Sequence, residues 1–383
     1  MHIAIDYTPA VLQGAGIGRY TRELVRALIP LLDPTDRVTL LYPRERGLFA
    51  PAGAWPAAVR IRRLPLPDRW QTVLWHRLRV PLPVEWVTGS FDLFHAPNFL
   101  LPPVRRGKTI VTVHDLAFLV HPEYAYPALR RFLAAAVPRA LARADHVLAD
   151  SEATRRDAIR LFGLSPDRIS VVGAGVDARF RPLDRATLRD VADRYGLSDV
   201  PFVLTVGTLE PRKNIEGLIR GFAIARQSAA FPHHLVIAGG RGWLYETIFA
   251  AVEHHNLGDY VHFLGFVPDA DLPALYNLAD LFAYPSHYEG FGLPVLEALA
   301  CGTPVLCTDT SSLPEIAGDA AWFIPPGHDE ALAAALARLL TDADLRRELG
   351  RRGPAHAAAW TWDKPAARLL AVYRSLLAND SGR

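Results

Sequence analysis

The chain has 383 residues, of which 50% are apolar and 21% charged, and its formal net charge is +2. This composition is typical of a globular protein and excludes a disordered or collagen-like chain, and the length predicts two domains. The two cysteines, Cys301 and Cys307, are too few for a disulfide scaffold or a cysteine-based metal site. Because no basic segment precedes a sustained apolar run at the start, and no apolar stretch reaches about 18 residues, we expect a cytoplasmic protein.

The charge is unevenly distributed along the chain. Residues 1–180 contain 24 Lys and Arg against 16 Asp and Glu, which gives +8, and the remainder, with 18 against 24, carries −6. A basic first half favours an anionic partner there, such as phosphates, an anionic membrane surface or nucleic acid. Scattered surface arginines explain the excess nearly as well.

Apolar runs alternate with helical periodicity throughout, which is the pattern of parallel sheets with crossover helices. Ser151 is expected to cap a helix that ends at Gly163, and Asn214 is expected to cap another. The predicted strands are HIAIDY, VTLLYP, FDLFHA, TIVTVHD, HVLAD and ISVVG in the first half, and FVLTVG, HLVIAGG, VHFLGF, LFAYP and TPVLCT in the second.

Two such series predict two doubly wound α/β domains that face one another, with ligands beyond the carboxyl ends of the strands. We expect an N-terminal domain over residues 1–177 and a C-terminal domain over residues 178–362. Residues 363–383 are amphipathic and predict a helix that closes the second domain or crosses back to the first.

The first glycine-rich stretch, GAGIGRY at residues 14–20, follows the first predicted strand. A dinucleotide fingerprint would need a glycine where Arg19 stands, and VTLLYPRER ends without the acidic residue that would hold a ribose, so NAD binding is not expected. We expect instead a flexible acceptor-side loop in which Gly14 and Gly16 approach a substrate and Arg19 starts the following helix.

The stretch HYEGFGLPVLEALACG, residues 287–302, contains two glutamates, Glu289 and Glu297, around a predicted helix start. Pro294 suits the first helical turn and Gly302 suits the helix end. The N-terminus of such a helix can bind a diphosphate, and the two carboxylates can accept hydrogen bonds from sugar hydroxyls. Without other signals, a loop residue and a solvated helix face would explain these glutamates better.

A second stretch, VGTLEPRKNIEGL at residues 206–218, places Arg212 and Lys213 in the loop between a strand and a helix. Adjacent guanidinium and ammonium groups can neutralise a diphosphate that gains charge as it departs. The pair would be ordinary loop charge if it stood alone. Together with the acidic loop, it indicates a site.

These two stretches, with TPVLCTDTSSLPEIAGDAA, resemble the donor-binding half of family 4 of the retaining glycosyltransferases. TVHDLAF, ADSEATRRD and GVD extend the resemblance over nearly the whole chain. The resemblance implies the GT-B fold, with two Rossmann-like domains facing a cleft and a C-terminal helix crossing back to the first. It also implies that the second domain holds the nucleotide sugar and the first the acceptor.

The resemblance further implies a role for each matching residue. Arg212 and Lys213 would bind the diphosphate, Glu297 the ribose hydroxyls and Glu289 the donor sugar. The other donor-site residues implied are Phe291, Gly292 and Leu293 near sugar and phosphate, Phe266 and Val267 beside the nucleobase, and Gly207 and Gly239 along the pocket.

His114 ends the apolar run TIVTVHDL and so should lie at the carboxyl end of a first-domain strand. Its position alone favours a structural histidine. The resemblance implies contact with the donor sugar, in which the ring orients and polarises rather than acts as a general base. Asp115 is expected to be a structural hydrogen-bonding residue.

The two Asp-x-Asp strings, Asp269 to Asp271 and Asp342 to Asp344, each precede a predicted helix. Aspartate there is expected to cap the helix rather than bind a metal ion. With cationic side chains available for the leaving diphosphate, we expect no metal and no other cofactor.

Two basic amphipathic stretches, residues 70–83 and 128–145, are candidates for peripheral contact with an anionic membrane at its inner face. They could equally line the cleft or face the core.

The combined interpretation is a retaining, metal-independent transferase that moves a hexose from a nucleoside diphosphate sugar to a glycan or lipid-linked acceptor in surface polysaccharide or glycolipid synthesis. The region from VHDLAF to HPEYAYP resembles bacterial mannosyltransferases, so GDP-mannose is the favoured donor and UDP-glucose the alternative. A nucleotide-sugar epimerase and a noncatalytic nucleotide- or glycan-binding protein remain open. A phosphorylase is disfavoured because Lys364, the only lysine after Lys213, lies outside any suitable motif. Nucleic acid is not expected as a partner.

Overall fold

The computed structural model describes residues 1–14, 16–44, 55–198 and 200–378, and these form two compact units. Unit 1 contains Met1–Leu119, Ala128–Gly175 and the described residues from Trp362 onward. Unit 2 contains Val120–Pro127 and Val176–Thr361. The segment 120–127 thus groups with unit 2, although the chain before and after it folds in unit 1.

Unit 1 is built on a parallel sheet whose central strands are fully buried. Phe94, Val111 and Val147 have no exposed surface, as expected of strands covered by helices on both faces. The strands are β1 (His2–Asp6), β2 (Arg37–Pro43), β3 (Val59–Leu64), β4 (Leu93–Ala96), β5 (Lys108–Val113), β6 (His146–Ala149) and β7 (Ile169–Val171), in the order β3-β2-β1-β4-β5-β6-β7.

Helices follow most of these strands, as the alternating sequence pattern predicts. The cap of the helix after β6 is confirmed, because Ser151 Oγ accepts a hydrogen bond from Thr154 N at 3.1 Å and Gly163 ends the helix in the left-handed region. The helices are α1 (Thr8–Leu12), α2 (Gly16–Leu28), α3 (Asp68–Gln71), α4 (Glu85–Thr88), α5 (Ala117–Val120), α6 (Pro127–Arg143) and α7 (Glu152–Phe162).

Unit 2 is likewise built on a parallel sheet. Its strands are β8 (Phe202–Val206), β9 (His234–Ala238), β10 (Val261–Gly265), β11 (Leu281–Tyr284), β12 (Val305–Thr308) and β13 (Ala321–Ile324), in the order β10-β9-β8-β11-β12-β13. Its helices are α8 (Arg189–Arg194), α9 (Ile215–Ser228), α10 (Glu246–His254), α11 (Leu272–Leu278), α12 (Leu293–Cys301), α13 (Leu313–Ala317), α14 (Asp329–Thr341) and α15 (Ala343–Ala357).

The last helix, α16 (Asp363–Ala378), packs on α2 and belongs to unit 1. The buried Tyr373 hydroxyl lies 2.6 Å from His95 Nδ1, and Arg368 donates to the carbonyl of Val172 at 3.2 Å. The C-terminal helix thus returns to the first sheet, as the resemblance implied. Residues 379–383 lie outside the described part of the chain.

Two strands were missed by the sequence prediction, and both lie at sheet edges. In β3, VRIRRL, the residues Arg60, Ile61, Arg62 and Arg63 are exposed, so no apolar run marks it. Charged edge strands are common because charge discourages pairing with another chain. The short β13 closes the other sheet at its own edge.

The prediction of a flexible loop in GAGIGRY is wrong for residues 16–18, because α2 begins at Gly16 rather than at Arg19. A Cβ atom on Gly18 would lie only 1.9 Å from the carbonyl oxygen of Gln13. Arg22 reinforces this close approach by donating to the carbonyl of Gln13 at 3.0 Å. Gly18 therefore serves backbone packing, while Ala15 lies outside the described residues.

Candidate active site

The order of the second sheet reverses between β8 and β11, and charged residues follow both strands. Arg212 and Lys213 lie in a 3-10 turn, Pro211–Lys213, between β8 and α9. Glu289 lies in the loop between β11 and α12. In doubly wound sheets ligands bind beyond the carboxyl ends of the strands at such a reversal. The three residues that the resemblance singled out are therefore brought together within unit 2.

The Lys213 ammonium is buried among oxygen atoms. Its Nζ donates to Glu289 Oε1 at 2.7 Å and to the Tyr284 hydroxyl at 2.6 Å. It also lies 5.0 Å from the centre of the Tyr284 ring, close enough for a cation–π interaction. Burial lowers the pKa of Lys213, and the negative charge of Glu289 opposes that shift.

The Arg212 guanidinium is held by three acceptors. Its Nη1 donates to Glu289 Oε2 and to the main-chain carbonyl of Tyr288, both at 2.9 Å, and its Nη2 donates to Glu210 Oε1 at 2.6 Å. Glu210 is only 3% exposed, so this pair is shielded from water. The planar guanidinium is therefore fixed in one orientation.

The four charged residues, Arg212, Lys213, Glu210 and Glu289, form a neutral cluster of two cations and two carboxylates. Burial opposes ionisation of Glu289, but the attraction of Arg212 and Lys213 lowers its pKa to about 2. The two carboxylate oxygens of Glu289 thus bind Arg212 and Lys213, the two cations that were expected to bind a diphosphate. A diphosphate that reaches Arg212 and Lys213 has to compete with this carboxylate.

The loop that carries Glu289 is held by two serines that the sequence interpretation did not single out. Ser311 Oγ accepts from Glu289 N at 2.8 Å. Ser312 Oγ donates to the carbonyls of Glu289 at 3.0 Å and Phe291 at 2.6 Å. The only available signal was the stretch TDTSSLPEIAG, which contributed to the resemblance without a role for either serine.

Glu297 is neither a solvated residue nor a cap. It is the fifth residue of α12, it is 2% exposed, and Oε2 accepts from the Tyr276 hydroxyl at 3.0 Å. The predicted ends of α12 are confirmed, with Pro294 in the first turn and Gly302 left-handed at the end. Gly292 precedes Leu293, the first residue of the helix, with a φ of 116°, which favours glycine.

The predicted glycines meet at the carboxyl ends of β8, β9 and β10. A Cβ atom on Gly239 would lie 1.8 Å from the carbonyl oxygen of Gly207, so the two backbones touch. Gly239 N donates to Gly265 O at 2.8 Å. Next along the chain, Phe266 is 60% exposed, whereas Val267 is buried. Phe266 therefore presents an uncovered aromatic ring beside this junction.

Asn214 occupies the N-cap position of α9, but its side chain does not cap the helix. It adopts a left-handed φ of 53°, and Nδ2 donates to the carbonyl of Pro285 at 3.2 Å. The side chain therefore ties the start of α9 to the loop that leads to Glu289. This contact also requires Gly217, where a Cβ atom would lie 2.2 Å from Asn214 Oδ1.

In unit 1, His114 directly follows β5 and both of its ring nitrogens have partners. Nε2 lies 2.6 Å from the carbonyl oxygen of Pro97, which can only accept, and Nδ1 lies 2.7 Å from Asp150 Oδ2. Burial alone would lower the pKa of His114, but Asp150 and Pro97 together raise it. These contacts therefore favour protonation of the ring more than in a free imidazole. Asp150 was not singled out from the sequence, although it ends the predicted strand HVLAD.

The neighbouring Asp115 has the structural role that was expected, since Oδ1 accepts from Ala117 N at 3.0 Å. The capping prediction is confirmed at Asp342, whose Oδ1 accepts from Leu345 N at 3.0 Å. It is wrong at Asp271, whose Oδ2 instead binds Arg194 at 2.7 Å and the Tyr195 hydroxyl at 2.9 Å. In the described part of the chain, no three His, Cys, Asp or Glu side chains are grouped as a metal site.

Comparison with known proteins identifies the class of this fold and site. The sequence model of Glycosyltransferase Family 4 matches residues 14–180, and that of Glycosyl transferases group 1 matches residues 192–356. O-antigen chain mannosyltransferase B of Escherichia coli is 32% identical over 98% of this chain and 100% of its own length. The chain therefore belongs to the family 4, group 1 glycosyltransferases and is a transferase.

Solved structures agree on the fold. Sucrose-phosphate synthase from Thermosynechococcus elongatus superposes with a TM-score of 0.79 at 24% identity, over 99% of this chain and 100% of that chain. HepE of Anabaena, solved in complex with UDP and glucose, superposes with a TM-score of 0.71 at 18% identity, over 98% and 99%. At these identities the likeness shows the GT-B architecture.

Proposed function

We propose that this enzyme transfers a hexose, with retention and without a metal ion, from a nucleoside diphosphate sugar to a glycan or lipid-linked acceptor in surface polysaccharide or glycolipid synthesis. One observation carries the proposal: Arg212, Lys213 and Glu289 converge beyond the carboxyl ends of β8 and β11. Cations suited to a diphosphate and a carboxylate suited to sugar hydroxyls thus share one buried position.

Each residue then has a chemical task. As the glycosidic bond to the diphosphate breaks, negative charge grows on the leaving group, and Arg212 and Lys213 stabilise it. Glu289 accepts hydrogen bonds from hydroxyls of the sugar, and Glu297 from those of the ribose. His114, oriented by its contact with Asp150, exchanges its Nε2 contact with the carbonyl of Pro97 for the donor sugar, which it polarises without removing a proton.

The donor proposed is GDP-mannose, and UDP-glucose is the alternative. The Escherichia coli relative is named a mannosyltransferase, which supports mannose. HepE was solved with UDP and glucose, which supports the alternative. The remaining contacts proposed for the donor or acceptor are those of Gly14, Gly16, Gly207, Gly239, Phe266, Val267, Phe291, Gly292 and Leu293.

A thermal-shift panel of GDP, UDP, ADP and their sugars, with and without EDTA, tests the donor. We expect the largest stabilisation from GDP and GDP-mannose, unchanged by EDTA and lost in Lys213→Ala. A larger shift with UDP compounds would select the alternative, and loss of the shift with EDTA would refute metal independence. The absence of a shift with every nucleotide would contradict the proposed function. Product analysis with GDP-mannose and a glycan acceptor separates transfer from epimerisation or mere binding.

Contact with an anionic membrane is supported by one tertiary contact in unit 1. The Arg77 guanidinium lies 5.7 Å from the centre of the Phe132 ring, which joins the π-helical turn Thr72–Arg77 to α6. The two stretches predicted from the sequence are therefore adjacent at this point, and Trp70 and Leu78 of the first are 50% and 66% exposed. No helix in the described residues is long and apolar enough to span a bilayer.

Cosedimentation with liposomes tests this surface. We expect binding to vesicles containing phosphatidylglycerol at low salt, weaker binding at moderate salt, and none to phosphatidylcholine alone. Trp70→Ala with Leu78→Ala should reduce binding, whereas Trp86→Ala, which removes a tryptophan that is 70% exposed on α4, should not. Absence of binding at both salt concentrations would refute membrane contact.

A further inference from the structure

The segment Val120–Pro127, here called the strap, belongs to unit 2 by its contacts, although it connects α5 and α6 of unit 1. Its Glu123 and Tyr126 are exposed, and His121 and Tyr124 are half-buried. The strap is therefore a surface segment that contributes little to either core. Core packing therefore does not explain why the strap contacts unit 2.

The strap contacts the rest of unit 2 through the rings of His121 and Tyr124 and through the main-chain carbonyl of Tyr124. Trp243 Nε1 donates to the carbonyl of Tyr124 at 2.8 Å. The ring of Tyr124 stacks on the ring of His287, with centroids 4.7 Å apart and planes at 13°. The ring of His121 lies 5.8 Å from that of Tyr288. The strap thus covers two consecutive residues of the loop after β11.

His287, Tyr288 and Glu289 each form a hydrogen bond with Arg212. His287 N donates to the carbonyl of Arg212 at 2.9 Å, and the carbonyl of Tyr288 accepts from Arg212 Nη1 at 2.9 Å. Glu289 follows directly and binds the same guanidinium. The strap therefore stacks on the residue that begins a run of three contacts with Arg212.

We propose that Tyr124 is a positioning residue, whose stack on His287 sets the loop 287–289 and thereby the geometry of Arg212 and Glu289. This inference rests on the proposed function, because those two residues bind the donor there. A misplacement of about 1 Å in such a group costs up to about a hundredfold in rate. The strap acts through the loop and does not itself touch the reacting atoms.

Kinetics of Tyr124→Ala test the role. We expect kcat to fall about tenfold while the KM for the acceptor stays within about twofold and the melting temperature changes little. Tyr124→Phe should keep wild-type activity, because the stack needs only the ring and because Trp243 donates to the main-chain carbonyl of residue 124. Tyr126→Ala, which removes an exposed tyrosine two residues further on, should behave as wild type.

Hydrogen–deuterium exchange of the free protein gives a readout that does not depend on any substrate. The amides of residues 286–290 should exchange faster in Tyr124→Ala than in wild type, Tyr124→Phe or Tyr126→Ala. Equal exchange in all four proteins would overturn the positioning role, as would wild-type kinetics in Tyr124→Ala or an equal loss in Tyr126→Ala. If the four proteins show the expected differences in exchange but the wild type transfers no sugar, the proposed function is refuted. The role of Tyr124 in ordering the loop then still stands.

Discussion

Glu289 accepts a hydrogen bond from Lys213, with Oε1 2.7 Å from Nζ. Its second oxygen binds Arg212, so one carboxylate engages both cations of the cluster. An anionic ligand can use those cations only by displacing this carboxylate or by sharing them with it. If these cations bind a diphosphate, as proposed above, Glu289 competes with that diphosphate.

Replacing Glu289 should therefore separate binding from transfer. In Glu289→Gln the cations lose a competing charge, so we expect GDP or UDP to bind about three- to tenfold more tightly, while transfer falls at least about a hundredfold. Isothermal titration calorimetry and initial rates measure the two effects. Glu216→Gln on α9 removes a charge that pairs with Arg220 instead, and it should change neither. Weaker nucleotide binding in Glu289→Gln would contradict the competition.

Tyr284 should matter less than the lysine it contacts. Tyr284→Phe removes one acceptor of the Lys213 ammonium but leaves the contact with Glu289, so kcat/KM should fall about three- to tenfold. Lys213→Ala removes the charge itself and should lower kcat/KM at least about a hundredfold. Steady-state kinetics at saturating acceptor distinguish these outcomes. Equal losses in both variants would show that the hydroxyl is as important as the charge.

The His114 and Asp150 pair predicts a dependence of stability on pH. The folded pKa of His114 is raised above its ordinary 6.5, so its stabilising contribution is complete below that value and is lost as pH rises through the folded pKa. The free energy of unfolding of wild type should exceed that of Asp150→Asn most at about pH 6 and less towards pH 9. Urea unfolding across this range measures the difference. The exposed Asp167→Asn should show no such trend, and a difference that grows with pH would contradict the assignment.

The two glycines at the start of α2 should respond oppositely to alanine. Gly18→Ala brings a Cβ atom against the carbonyl of Gln13, so we expect destabilisation by at least about 2 kcal/mol. A Cβ atom on Gly16 meets nothing within 4 Å, so Gly16→Ala should be neutral or stabilise by up to about 1 kcal/mol. Thermal unfolding of both variants tests this. A tolerated Gly18→Ala would refute the packing role, and lost transfer in a stable Gly16→Ala would support substrate contact at Gly16.

The features that sequence reasoning predicted well are local ones. The ends of α12 follow from Pro294 and Gly302, and the start of α7 follows from Ser151, because caps act within one turn. The interior strands follow from apolar runs. The edge strand β3 escaped this reasoning because arginine replaces the apolar signal where only one side of a strand is paired.

The failures occurred where a residue's partner is distant in the sequence. Asn214 and Asp271 both occupy N-cap positions, yet their side chains bind Pro285 and Arg194, which are 71 and 77 residues away. Local propensity cannot register such contacts, because tertiary packing creates them. The helix start at Gly16 was missed for a local reason instead, because the glycines of GAGIGRY can adopt loop as well as helical conformations.

By itself, the sequence determined the α/β class of the protein, its family and the residue types of the candidate site, since periodicity and short motifs carry that information. Only the tertiary structure decided that Glu289 neutralises both Arg212 and Lys213, that Asp150 holds His114, and that the strap packs on His287. These relationships join residues from different strands and loops. They depend on the order of strands in each sheet, which brings together residues that no local pattern connects.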